Sequence, residues 1–433
     1  MSTMASTTAE TEAQQPAISV IVPIYDVEEC LERTLQSVLE QSFGDWELIL
    51  VDDASGDGSL EIARSFERKD ARVRVFSLPQ NSPGGAATPS NIGLKHAKGK
   101  YVAFLDSDDL YFPDFLETLY RHSEIFENVD VAMVRYQIYY LDKDREQVCY
   151  PDAWSWLNLI HPKLGSRHQR QKVRYVRLDR TRSCIRHRDR GRAWSRVQAF
   201  HLFSGLSVVP WRKLYRRDFL LQHKIRFPEG EYFFEDIPLH WIVCSRANNI
   251  LLCDTVAYRH NIGRQGQTVS EARDKQVYAK LFQSERVLDY LLSALEKNQL
   301  GEGARFYLLL WLRSLLQTFC YGLRLSGLKQ WQVFYLETEA MLRRRIRANP
   351  KLAAFIRPLY GLRISDTFHL RLDILEIIAW QLFTSGILKK RDGTDGCGKF
   401  VTAYLAVLCF PLTGYGHAMR NRLRYLASKF RSG

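Results

Sequence analysis

None of the eight cysteines sits in a CxxC pair; they are scattered at positions 30, 149, 184, 244, 253, 320, 397 and 409. Such spacing disfavours both a disulfide framework and a zinc site, so reduced thiols are expected. Also missing is any uncharged apolar run of about 18 residues or more, the length a spanning helix needs. YLLLWLRSLLQTFCYGL (307–323) carries Arg313, and VTAYLAVLCFPL (401–412) is short and broken by Pro411. Membrane contact is therefore expected to be peripheral. Residues 1–16 have no basic start and no apolar stretch, and read as a disordered tail rather than a signal peptide. No GxGxxG follows the first apolar run, which removes the dinucleotide fingerprint. The GxxxxGK match at 393–399 is followed by Phe400, where a phosphate loop needs Ser or Thr.

Positive charge is abundant but local. The formal net charge is +13, and KLGSRHQRQKVRYVRLDRTRSCIRHRDRGRAWSR (163–196) holds 13 Lys or Arg against two Asp. A segment so rich in like charge stays extended unless an anionic partner neutralises it. Its aromatics are sparse, Tyr175 and Trp194, which makes nucleic acid an unlikely partner. An anionic membrane surface or an anionic acceptor fits better, with a solvated loop as the plain alternative. The basic amphipathic RNRLRYLASKFR near the C-terminus suits a membrane surface as well.

ISVIVPIY (18–25) and WELILVDD (46–53) are near-continuous Ile/Val-rich runs, the pattern of parallel strands covered on both faces. A helix is expected between them, with Asp26 and Glu29 at capping-box spacing. Helices near 59–68 and 91–96 alternate with strands at 73–78 and 101–105, a helix follows Pro113, and an apolar run spans 131–141. This predicts an α/β fold with a doubly wound, mostly parallel sheet and flanking helices. The expected divisions are a tail (1–16), a nucleotide-binding half (17–141), a basic insertion (142–205), an acceptor half (206–275) and a C-terminal α-helical domain (276–433).

Ligands of such sheets bind at the carboxyl ends of the strands, and two acidic clusters fall there: Asp52-Asp53 and FLDSDDL (104–110). An extended backbone points Asp106 and Asp108 to one side. Carboxylates that close repel unless a cation stands between them or one is protonated; Mg2+ or Mn2+ fits, since hard cations take one or two carboxylates plus water and phosphate oxygens. Asp109 suits the turn into the next helix. Downstream, Glu235-Asp236 precedes Ile237-Pro238, so Asp236 reads as a helix N-cap, a catalytic carboxylate, or both.

Taken in order, SVIVPIYDVEECLERTLQSVLEQSFGDWELILVDDASGDGS (19–59), SNIGLKHAKGKYVAFLDSDD (90–109), WRKLYRRDFL (211–220), FFED (233–236) and YRHN (258–261) resemble the family 2 glycosyltransferases of the GT-A fold. The resemblance covers roughly 17–140 and 206–270. It implies a metal-dependent, inverting transfer from a nucleotide-sugar donor, UDP-linked by expectation, to a lipid-linked or polysaccharide acceptor in cell-surface glycan synthesis. The place implied is cytoplasmic, peripheral at the inner face of the cell membrane. By the same resemblance Pro23, Tyr25 and Asp53 contact the nucleotide, with Asn91, Ser107 and Arg259 also on the nucleotide sugar. Asp106 and Asp108 are the DxD metal and diphosphate pair, His260 a third metal ligand or a phosphate donor. Asp236 is the general base, and Glu235 orients it or the acceptor. One departure is Ser90, where many relatives carry Arg before the Asn. Two rivals stand beside this reading: a sugar nucleotidyltransferase, against which PIYDVEE stands where a Gly-rich loop belongs, and a non-catalytic membrane- or partner-binding member.

Overall fold

The structure is a computed structural model that describes residues 15–148, 201–264 and 273–297 apart from single positions, together with Gln267 and short pieces between 152 and 177 and between 307 and 353. The chain divides into two compact units, Met1–Trp311 and Leu312–Gly433. The first is built on a ten-stranded sheet.

Half of that sheet follows from the buried apolar runs. β1 (Ile18–Ile24) and β2 (Trp46–Asp52) are buried at every residue, as strands covered on both faces must be. They pair in parallel with each other, β2 with β3 (Val73–Ser77), and β1 with β4 (Tyr101–Phe104). The crossovers are α1 (Glu28–Leu39), α2 (Ser59–Lys69) and α3 (Ala87–His96). α3 lies so close to β1 that a Cβ on Gly93 would stand 2.3 Å from Cγ2 of Ile21. The capping box expected at Asp26 does not form: α1 begins at Glu28 with no side-chain cap. Asp26 instead adopts φ +48 and accepts a hydrogen bond from Gly56 N at 2.7 Å, knitting the start of α1 to the turn before α2.

Beyond β4 the sheet is mixed. β9 (Lys213–Arg216) inserts antiparallel between β4 and β6 (Val131–Tyr140). β10 (Asn249–Ile262) runs parallel to β6 and carries the short β5 (Leu110–Tyr111) antiparallel on it. β7 (Arg145–Val148) pairs with β6, and β8 (Val173–Arg177) with β10. β8 lies within the basic stretch, so part of that stretch is a strand of this sheet; the rest of 163–196, and everything after 353, lies outside the described residues.

The remaining helices are α4 (Phe115–Ile125), α5 (Arg217–Gln222), α6 (Asp236–Arg246) and α7 (Arg273–Glu296). α7 packs on α6 within the first unit, so the division expected at 275/276 falls inside this helix. In the second unit, Met341, Leu342 and Leu352 are buried within described helical residues. Among the described residues no helix is long and apolar enough to cross a membrane.

Candidate active site

β1, β2 and β4 end at one edge of the sheet, and the acidic turn starts where β4 stops. Asp109 N closes the turn on Asp106 O at 3.0 Å, while Thr34 Oγ1 on α1 donates to Ser107 O at 2.9 Å. Asp109 does not shape the next helix. Wholly buried, it accepts from Tyr258 Oη at 2.7 Å, Asn261 N at 2.8 Å and His260 Nδ1 at 2.9 Å. It therefore fastens the turn to β10. The physical reason is alternation along a strand: Tyr258 and His260 point to the same side, and both meet Asp109.

Asp106 and Asp108 are held differently. Among the described residues nothing donates a hydrogen bond to the Asp106 carboxylate. Burial first, then the charges of Asp109 and Asp108, push that carboxyl well above its ordinary value. Asp108 accepts from Gln267 Nε2 at 2.7 Å and Arg264 Nε at 3.3 Å, both on Oδ2, and among the described residues nothing donates to its Oδ1. Burial alone would lower His260, but Asp109, with Asp106 and Asp108 behind it, takes it up to about 9. Its Nδ1 is engaged by Asp109 and its ring stacks on Trp211. Among the described residues no cluster of three His, Cys, Asp or Glu could hold a metal by itself. The oxygens of Asp106 and Asp108 that have no partner among the described residues fit a hard cation that completes its shell with water and phosphate oxygens.

Glu235 and Asp236 open α6 from the opposite side. Asp236 is the first residue of α6 and not its N-cap; Glu235 holds that place, without a side-chain cap bond. The Oδ1 of Asp236 is sealed from solvent without a hydrogen-bond partner, and burial raises its carboxyl. Glu235 accepts from Ala86 N at 2.9 Å, and burial together with Asp236 pushes it up to about 7. A Cβ on Gly85 would stand 3.1 Å from Glu235 Oε1, so the glycine permits this approach. The Glu235 charge is also felt at Asp106. The two acidic devices are thus near enough for their charges to interact.

Other expected residues divide. Tyr25 is 47% exposed at the end of β1, next to buried Pro23. Asp53 is buried and accepts from Ser82 N at 2.9 Å and Ser82 Oγ at 2.6 Å. Asn91 is engaged on both sides of its amide, donating to Phe227 O and Glu229 Oε1 and accepting from Phe227 N; it ties α3 to the loop before α6. Arg259 lies on the other face of β10 from His260, its guanidinium 3.6 Å from the Tyr139 ring centre and its Nε on Asn261, and is not brought to the acidic turn. Arg264 takes that place, aided by Gly263, whose φ of +109 turns the chain back after β10. Arg264 and Gln267, the pair on Asp108, both lie past the last quoted motif, YRHN (258–261).

Residues 19–175 match the model of Glycosyl transferase family 2. This segment belongs to that family. Among curated relatives of the family 2 segment and its flanks, TuaG of Bacillus subtilis (strain 168), named provisionally for teichuronic acid biosynthesis, is 48% identical over 103 residues, 24% of this chain and 40% of the relative. EpsJ of the same organism, named an uncharacterized glycosyltransferase, is 28% identical over 247 residues, 56% of this chain and 60% of the relative. The chain thus spans 40% and 60% of these two relatives' lengths. S. aureus TarS 1–349 in complex with UDP-GlcNAc aligns with a TM-score of 0.54 at 21% identity, over 88% of this chain and 95% of that one. The likeness shows a shared GT-A fold.

Proposed function

We propose that the chain is an inverting glycosyltransferase that moves a sugar from a UDP-linked donor to a lipid-linked or polysaccharide acceptor at the inner face of the cell membrane. The observation that carries this reading is the pairing of two acidic clusters whose charges interact: the Asp106 carboxylate, with no donor among the described residues, and the Glu235-Asp236 pair with its orphaned Asp236 oxygen. The names of the curated relatives and the UDP-GlcNAc bound by TarS favour a nucleotide-sugar donor. Liposome flotation that depends on anionic lipid would support the membrane placement.

In this reading Asp106 and Asp108 hold Mg2+ or Mn2+, which when bound neutralises charge developing on the departing diphosphate. The exposed ring of Tyr25 offers a face to the base, and Asp53 an acceptor for a base N–H. His260, kept cationic, faces the phosphates. The acceptor hydroxyl attacks the anomeric carbon as the bond to the diphosphate breaks. Its proton passes to Asp236, whose Oδ1 has no hydrogen-bond partner among the described residues and whose raised affinity for protons suits a general base. Glu235, anchored on Ala86 N, fixes the start of α6.

Asp236→Asn should lower UDP release by roughly 100- to 10,000-fold, the usual worth of a general base, with donor affinity by calorimetry unchanged. Retained turnover in that variant would remove Asp236 from the mechanism.

A further inference from the structure

The loop from Phe227 to Glu235 leads into α6 and does not hold its own shape. It contains Gly230 at φ +141 and Phe234 at φ +66; the second is a conformation that costs a bulky residue energy and persists only where the surroundings impose it. Two helices supply those surroundings. From α7, outside the family-matched segment, Arg286 donates to Glu229 O at 2.7 Å, Gln283 donates to Phe233 O at 3.0 Å, and the Lys280 ammonium stands 4.7 Å from the centre of the Phe234 ring. From α3, Asn91 Nδ2 donates to Phe227 O at 2.9 Å and to Glu229 Oε1 at 2.8 Å, while its Oδ1 accepts from Phe227 N at 2.9 Å. Ala86 N, at the start of the same helix, holds Glu235 Oε1 at the far end of the loop.

We propose that Asn91 is a positioning residue and not a contact to the nucleotide sugar: its amide locks the loop at Phe227 and Glu229 and so sets where Asp236 stands relative to the acidic turn after β4. The inference rests on the reading of Asp236 as the general base.

The chemistry of the amide carries the assignment. Both N–H bonds of Asn91 are spent on the loop, and its oxygen completes a two-way exchange with the backbone of Phe227, as a neighbouring strand would. Phe227 is itself buried, and its ring stands edge-on to Phe104 with centres 5.0 Å apart. Phe104 is the last residue of β4, two positions before Asp106. One end of the loop is therefore fixed to the strand that leads into the acidic turn, and the other end carries Glu235 and Asp236. Releasing Phe227 frees the second acidic pair to drift from the first.

The test compares Asn91→Ala, Arg286→Met and the double variant with wild type in the full chain, by UDP release from UDP-GlcNAc, UDP-glucose or UDP-galactose and by calorimetry of UDP with Mn2+. Each single variant should lower kcat by roughly 10- to 100-fold, the order that ~1 Å of misplacement costs, with KM for the donor and affinity for UDP within about twofold of wild type. Because Asn91 and Arg286 both hold the loop at Glu229, the double variant should lose less than the product of the two single losses, whereas unrelated structural damage would multiply. Asn91→Ser carries the same expectation if the Ala variant does not fold. An unchanged kcat in a folded Asn91 variant, a donor KM or UDP affinity weakened by about tenfold or more, or losses that multiply overturn the role of Asn91. If instead the Asn91 variant loses kcat in the expected way while Asp236→Asn still releases UDP, the hold on the loop stands and the assignment of the base falls.

Discussion

The carboxylates of the crevice differ in what holds them, and that difference decides what each can do. Asp109 has three donors and serves as an anchor; Asp106 has none among the described residues. Glu235 gives a measurable consequence. Its carboxyl rises from an ordinary 4.5 to about 7 through burial and the neighbouring Asp236. A group raised on folding contributes stability that is fully present below pH 4.5 and is lost as pH climbs through about 7. Urea unfolding of the metal-free protein should therefore show wild-type stability falling across that window. Glu235→Gln should flatten the fall and exceed wild type at pH 8 by on the order of 1–3 kcal/mol, while matching it at pH 4.5. Parallel curves for the two proteins would mean that Glu235 is not strained in its site. The place of Asp106 and Asp108 at the end of a buried strand was legible, because the apolar run stops there. The anchoring of Asp109 was not, since Tyr258 and Asn261 lie 149 and 152 residues away in the chain and no local pattern links them.

At the scale of elements, the parallel half of the sheet could be read from continuous Ile/Val runs, because a strand covered on both faces admits little else. β9 could not. Four residues, Lys213–Arg216, carry no period of their own, and their place between β4 and β6 depends on long-range pairing. α7 was recognised as a helix, but its hold on the loop before α6 was not, since Lys280, Gln283 and Arg286 look like an ordinary solvated face. The contact between α3 and β1 makes a sharper claim. With the Ile21 methyl at 2.3 Å from a new Cβ, Gly93→Ala should destabilise the protein by about 1–3 kcal/mol, as overpacked cores do. A shift of the urea midpoint checks this, and an unchanged midpoint would show that α3 can slide.

At the scale of the molecule, a strongly basic chain keeps an acidic crevice because the two charges occupy different places. The excess positive charge lies mainly in 163–196, whereas the aspartates cluster at the ends of β2 and β4 and the start of α6. The mixed GT-A sheet carries β2 and β4, and α7 holds the loop before Asp236 from beyond the family 2 segment. The central claim is that this crevice binds and activates a nucleotide sugar. Mass spectrometry of UDP released from a panel of UDP-sugars with Mn2+, wild type beside Asp108→Ala, tests it most directly. The account predicts release from at least one donor by wild type and its loss in the variant; equal release by the two proteins, or none from any nucleotide sugar, would contradict it.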